Sequence, residues 1–261
     1  MIVTVLGCGS SAGVPMIGGA DGTGDWGACD PAEPRNRRTR ASIVIESGGR
    51  RLLVDCSPEM RLQLVSCGVP GVDAILFTHA HADHILGLDD VRTLNRIAGR
   101  PLDAFATEAT HGELARRFEY AFAPWTGPGF FRPVLVPRAI AAGERFDAGG
   151  IEVSVFRQDH GFGPSLGVRA GRFAYSTDVV GLDEDAFAAL AGVDTWIVGA
   201  FQRAPHRTHA HVALAVAWAQ RVGARRTVLT HLGPDLDWAW LAANLPPGVE
   251  AAHDGLKLEI A

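Results

Sequence analysis

The chain has 261 residues, 47% hydrophobic and 20% charged, which excludes a disordered or fibrous protein and allows one large core or two small ones. With 24 Lys and Arg against 29 Asp and Glu, the formal net charge of -5 has the wrong sign for a protein that works mainly on nucleic acid; Lys257 is the only lysine, and the arginine excess reads as compositional drift. The start M-I-V-T-V-L-G-C-G carries no basic leader, no run of roughly 18 apolar residues could span a membrane, and Cys8, Cys29, Cys56 and Cys67 form no C-x-x-C pair, so a cytoplasmic protein with free thiols is expected.

A first strand, Ile2 to Leu6, runs into a glycine-rich loop that ends near Pro31. The loop contains neither G-x-G-x-x-G nor G-x-x-x-x-G-K-[ST], so it reads as a surface loop rimming a site and not as a phosphate cradle. Arg35, Arg37, Arg38 and Arg40 follow in R-N-R-R-T-R. Such a cluster either lies on a solvated face or draws an anionic substrate inward, with Arg37 the candidate for substrate contact. Ser42 to Glu46 and Arg51 to Asp55 form a hairpin about Gly48-Gly49. Asp55 closes the second strand and could cap the helix Pro58 to Cys67, which stops at Gly68.

The next strand, Ala74 to Phe77, delivers His79, His81, Asp83 and His84 within six residues. Alternate side chains at a strand end share a face, so His79 and His81 point to one centre. Asp83 and His84, where the chain turns toward helix, point to a second centre, about 3.5–4 Å away in two-metal hydrolytic sites. Imidazoles with one carboxylate per centre suit zinc, manganese or iron, whereas calcium and magnesium prefer oxygen shells.

After this stretch Asp89 to Ala98 reads as helix, Leu102 to Ala106 as strand and Thr110 to Ala121 as helix. The segment A-P-W-T-G-P-G-F-F-R-P breaks both patterns, and its Trp125, Phe130 and Phe131 are core contacts, a lid over the site or a homodimer contact. Glu152 to Phe156 is a strand with His160 just beyond it, and Ser165 to Arg169 and Phe173 to Ser176 form a hairpin that delivers Asp178. A helix at Asp183 to Leu190 and a buried strand at Thr195 to Val198 precede the loop Pro205 to His211, with His206, His209 and His211. Helix Val212 to Val222, strand Thr227 to Thr230 ending at His231, a helix near Trp238 to Ala243 and a last strand, Leu256 to Ile260, complete the chain. Neither a solenoid-period repeat nor a dividing linker is visible, so residues 1–261 read as a single domain.

The window H-A-H-A-D-H resembles the H-x-H-x-D-H signature of the metallo-β-lactamase superfamily. The resemblance implies a four-layer αββα sandwich of two mixed β-sheets flanked by helices, with two divalent ions, zinc or manganese ahead of iron. It implies His79, His81, His160 and Asp178 around the first ion, and Asp83, His84, bridging Asp178 and His231 around the second. It also implies that Asp55 supports the metal loop from behind and is not itself a ligand. The segment H-R-T-H-A-H-V-A-L resembles that of the branch containing the tRNA 3′-end endonucleases and the cyclic phosphodiesterase of carbon-phosphorus lyase metabolism. There the histidine matching His209 contacts the phosphate and protonates the leaving oxygen. His209 and Asp83 are the catalytic assignments, with His211 the fallback for the acid among the candidates His206, His209 and His211, and with His211 and His206 also candidate substrate contacts. The early loop keeps only Cys29 of that phosphodiesterase's zinc-binding cysteine cluster, so no third, structural ion is expected.

The reaction expected is hydrolysis of a small phosphodiester, cyclic forms included, by a hydroxide bridging two ions. The alternatives are a tRNA 3′-processing endonuclease, for which no basic arm is visible, and a non-hydrolytic metal-binding or redox member of the fold.

Overall fold

Alternation along the strands decides the layering in the computed structural model, which describes residues 1–261. The first sheet comprises β1 (Ile2–Gly7), β2 (Ser42–Ser47), β3 (Arg50–Val54), β4 (Ala74–Leu76), β5 (Leu102–Ala106), β6 (Leu135–Ala139) and the last strand, β14 (Lys257–Glu259). The second comprises β7 (Arg145–Asp147), β8 (Glu152–Asp159), β9 (Pro164–Ala170), β10 (Phe173–Ser176), β11 (Thr195–Gly199), β12 (Arg226–Thr230) and β13 (Val249–Ala251). Successive side chains leave a strand on opposite faces. Ile43, Ile45, Leu52, Val54 and Leu76 thus meet Val153, Val155, Val168, Phe173 and Tyr175 in one apolar layer between the sheets.

The opposite faces bury a second and a third layer under helices. Val44, Leu53 and Ile75 pack beneath α1 (Met60–Ser66), α3 (Val91–Ala98), α4 (Glu108–Arg117) and α5 (Glu119–Phe122). Ala174, Trp196, Val198 and Leu229 pack beneath α6 (Glu184–Leu190), α7 (Val212–Val222) and α8 (Trp238–Asn244). Each fully buried Val, Leu, Ile or Phe contributes about 1.5–3 kcal/mol, so these three apolar layers hold the expected four-layer αββα sandwich together.

The two sheets repeat one ladder order. In the first, β14-β1-β2-β3 is antiparallel and β3-β4-β5-β6 parallel. In the second, β7-β8-β9-β10 is antiparallel and β10-β11-β12-β13 parallel. Asp55 follows β3 and Asp178 follows β10, at matching places in the two ladders.

Several elements depart from the sequence reading. β4 ends at Leu76, so His79 and His81 lie in a loop beyond the strand and not on its alternating face. β8 extends to Asp159 because Arg157, Gln158 and Asp159 keep pairing with Leu166, Ser165 and Pro164, a tertiary gain that composition does not show. The expected helix Thr110–Ala121 begins earlier, where the Thr107 hydroxyl accepts from the Thr110 amide at 3.2 Å, and breaks at Phe118, whose φ of -131° turns its ring into the core. β6, β7 and β13 were not legible: β6 is an edge strand interrupted by Pro137, and the other two have three residues each. Trp125 and Phe131 pack edge to face, and their segment is held to α3 and α5 by Arg96 donating to the Phe130 carbonyl at 2.9 Å and Arg132 to the Tyr120 carbonyl. No helix is long and apolar enough to cross a membrane. The four cysteines are free thiols.

Candidate metal centre

His79, His81, His160, Asp178 and His231 lie just beyond strand ends, Asp83 and His84 lie in a short helix at Ala82–Ile85, and the structure brings all seven together. His79, His81, His160 and Asp178 offer donor atoms within 4.8 Å of one another, and so do Asp83, His84, Asp178 and His231. Asp178 belongs to both groups through different oxygens. Its Oδ2 lies 3.3 Å from His160 Nε2 and 3.7 Å from His79 Nε2, while its Oδ1 lies 3.1 Å from His84 Nε2 and 3.3 Å from His231 Nε2. Asp83 Oδ2 completes the second group at 3.2 Å from His84 Nε2 and 3.5 Å from His231 Nε2. Four ligands about 2.0–2.1 Å from a tetrahedral zinc stand roughly 3.3 Å apart. The donor spacings fall around that edge length.

The hydrogen bonding behind the imidazoles fixes which nitrogen faces inward. Asp55 has no exposed surface and accepts the Thr78 amide at 2.8 Å, the Thr78 hydroxyl at 2.8 Å and His84 Nδ1–H at 2.7 Å. With its proton given to Asp55, the Thr78 hydroxyl is left to accept from His79 Nδ1–H at 3.0 Å. His160 donates Nδ1–H to the Thr208 carbonyl at 2.7 Å. Each of these rings therefore turns its Nε2 toward the pocket, the arrangement that orients metal-binding imidazoles. His79 Nε2, Asp83 Oδ2, His84 Nε2 and both His231 nitrogens are buried without a hydrogen-bond partner. Orphaned buried polar atoms are costly, and one cation in each group would satisfy all of them except His231 Nδ1.

The electrostatics agree. Burial disfavours charge on His84, but Asp178, Asp83 and Asp55 outweigh it and raise its pKa well above the usual value. Burial likewise opposes ionisation of Asp178, and His231 and His84 overcome it, holding the carboxyl well below its ordinary range. Three carboxylates crowded around one imidazole draw positive charge to this spot. Burial, followed by the proximity of His84, lowers His79 well below its usual value.

Asp55 is thus placed behind the metal loop and makes no cap for α1, whose first residue, Met60, follows an uncapped Glu59. Asp55 and His231 are the only non-glycine residues at positive φ, 65° and 55°, a conformation that costs about 1–2 kcal/mol and clusters at functional sites.

Of the three later histidines only His209 reaches the cluster. Its ring centroid lies 4.7 Å from that of His231 and 4.8 Å from that of His160, with Nδ1 3.9 Å from Asp178 Oδ2. Burial, then the neighbouring His231, pushes its pKa down to about 3, so the ring is neutral in the protein alone and offers an N–H. His206 stacks behind it at 5.3 Å on the exposed side, and His211 sits at the start of α7. The arginine cluster does not act as one surface. Arg38 is buried and donates to the Gly233 and Leu236 carbonyls, Arg35 pairs with Glu33, and Arg40 pairs with Glu59. Arg37 is exposed and stacks over Trp26 at 4.9 Å.

Three contributors escaped the sequence reading. Thr78 directly precedes the first histidine and could have been found from that adjacency. Phe201, two residues past β11, lies 5.2 Å from the His209 ring and 6.4 Å from that of His231. The Thr208 carbonyl, as backbone, leaves no trace in residue type.

A family model described as a beta-lactamase superfamily domain matches residues 50–232. The chain is 31% identical over 257 residues to an octanoyltransferase of Porphyromonas gingivalis strain W83; the match takes in 97% of this chain and 50% of the other, so the chain spans about half of that relative's length. It is 29% identical over 266 residues to ribonuclease Z of Mycobacterium sp. strain KMS, covering 87% of this chain and 92% of the relative. Among solved structures, a new diphosphatase from the PhnP family superposes with a TM-score of 0.89 at 35% identity, over 100% of this chain and 98% of the other.

Proposed function

The chain belongs to the metallo-β-lactamase superfamily, and from that premise we propose that it is a phosphodiesterase that holds two divalent ions, zinc or manganese, and cleaves a small phosphorylated substrate. The observation that carries this reading is Asp178, whose two oxygens face two separate sets of imidazoles. His79, His81 and His160 would share one ion with Asp178, and Asp83, His84 and His231 the other. Divalent ions bound there activate water near neutral pH and offset charge on phosphate oxygens.

The protein's own groups set the geometry. Asp55 and Thr78 fix the rings of His84 and His79, and the Thr208 carbonyl fixes that of His160. His209, beside both donor sets, is placed to donate its N–H to a phosphate oxygen, and the negative charge of a bound phosphate favours the protonated ring that can serve as general acid. Residues 1–261 act as a single domain on this reading, supported by the apolar layer that both sheets share.

A second reading is a tRNA 3′-processing endonuclease, favoured by the ribonuclease Z relatives. A net charge of -5 weighs against it, because phosphate backbones are bound mainly through Lys and Arg. The deciding experiment offers the zinc- or manganese-loaded protein bis(p-nitrophenyl) phosphate and a 3′-extended tRNA precursor. Turnover of the diester that disappears, together with bound metal, in Asp178→Asn is the expected result. Cleavage of the precursor alone would favour the second reading, and inertness toward both would overturn the hydrolase assignment.

A further inference from the structure

A cleft of about 250 Å³ opens beside the first group of donors, bounded by His79, His81 and His160 on one side and by Thr107, Thr110 and Arg117 of the α4 segment on the other. Its rim carries Phe162, whose side chain is 91% exposed. The position of that ring is built into the backbone. The His160 amide donates to the Gly163 carbonyl at 3.0 Å, closing a tight turn, and His160 Nδ1 anchors the base of the turn to Thr208. Gly161, at φ 82°, lies against the 207–208 backbone, where a Cβ would stand 3.0 Å from the Arg207 carbonyl oxygen and 2.8 Å from a Thr208 methyl. A residue two positions from a metal-type histidine is thus presented outward at the mouth of the cleft.

The cleft also lacks free charge. Glu113 pairs with Arg116 at 2.6 Å and with Arg117 at 2.9 Å, and Arg117 spends a further N–H on the Ala80 carbonyl at 2.7 Å. What remains facing the space is an aromatic ring, the Pro164 ring and two threonine hydroxyls, which hydrogen-bond each other at 3.0 Å. That chemistry suits a flat, uncharged group that can stack and accept or donate a hydrogen bond.

Resting on the phosphodiesterase reading, we propose that Phe162 is a specificity-determining residue: it stacks on an uncharged, ring-bearing substituent of the phosphoester, which lies in this cleft while the phosphate faces the ligand cluster. Stacking of one ring on an aromatic side chain gives about tenfold in affinity.

Binding tests this apart from turnover. Titration of phenylphosphonate and methylphosphonate into the metal-loaded wild type should show the phenyl compound roughly tenfold tighter. Phe162→Ala should bind the two alike with unchanged thermal stability, and Phe162→Tyr should restore the preference. Equal affinities in the wild type, no binding of either compound, or a preference that survives in Phe162→Ala would each overturn the proposal. A wild type that keeps the phenyl preference yet leaves bis(p-nitrophenyl) phosphate intact sinks the phosphodiesterase reading alone.

Discussion

At the scale of single residues, the assignment most open to experiment is His209. Its ring touches both ligand sets but is held by neither, so His209→Ala should leave bound metal at the wild-type level while turnover falls by roughly 10²–10⁴, the loss typical of a missing general acid. Metal analysis beside steady-state kinetics checks this, and an unchanged rate would pass the role to His211 or His206. The seven ligand-type residues were legible because residue type is the signal: four of them fall within six residues, and the other three each follow a later apolar run. Orientation was not legible. Nothing in R-N-R-R-T-R says that Arg38 turns inward to two carbonyls while Arg37 stays in solvent on Trp26, because that choice is made by the distant Gly233–Leu236 segment.

At the scale of elements, strand ends were found more reliably than strand partners. Hydrophobic runs located β4, β10 and β12, each of which hands a ligand-type residue to the site from the loop behind it. Short edge pieces such as β7 and β13 have too few residues for a pattern and exist only because a neighbour offers its ladder. The turn after α2 (Ala82–Ile85) shows how tightly the metal loop is seated. The Cys56 amide donates to the His84 carbonyl at 2.8 Å, the Gly87 amide to the Cys56 carbonyl at 3.0 Å, and a Cβ on Gly87 would stand 2.0 Å from the Ser57 carbonyl oxygen. Gly87→Ala should therefore push this turn off its support, lowering stability by about 1–3 kcal/mol in denaturant titration and weakening metal binding if Asp83 and His84 are ligands. Wild-type stability and metal retention in that variant would show that the turn has slack.

At the scale of the whole molecule, the expected sandwich rested on the family resemblance and the run of strands and helices, whereas the matched ladder orders of the two sheets were invisible because the strand sequences share no repeat. That duplication means the donors are divided evenly. Each group takes two members from before the exposed turn at residues 141–144 and two from after it. The ions would then clasp one half of the chain to the other, and a protein nicked in that turn should survive as a complex of two fragments. β14, from the second fragment, would still complete the first sheet beside β1. Free metal at about a hundred times its dissociation constant adds about 2.7 kcal/mol to that association. Chelation should accordingly lower the denaturant midpoint at which the fragments part, read by gel filtration, and an unmoved midpoint would mean that the two halves cohere through their apolar contacts alone.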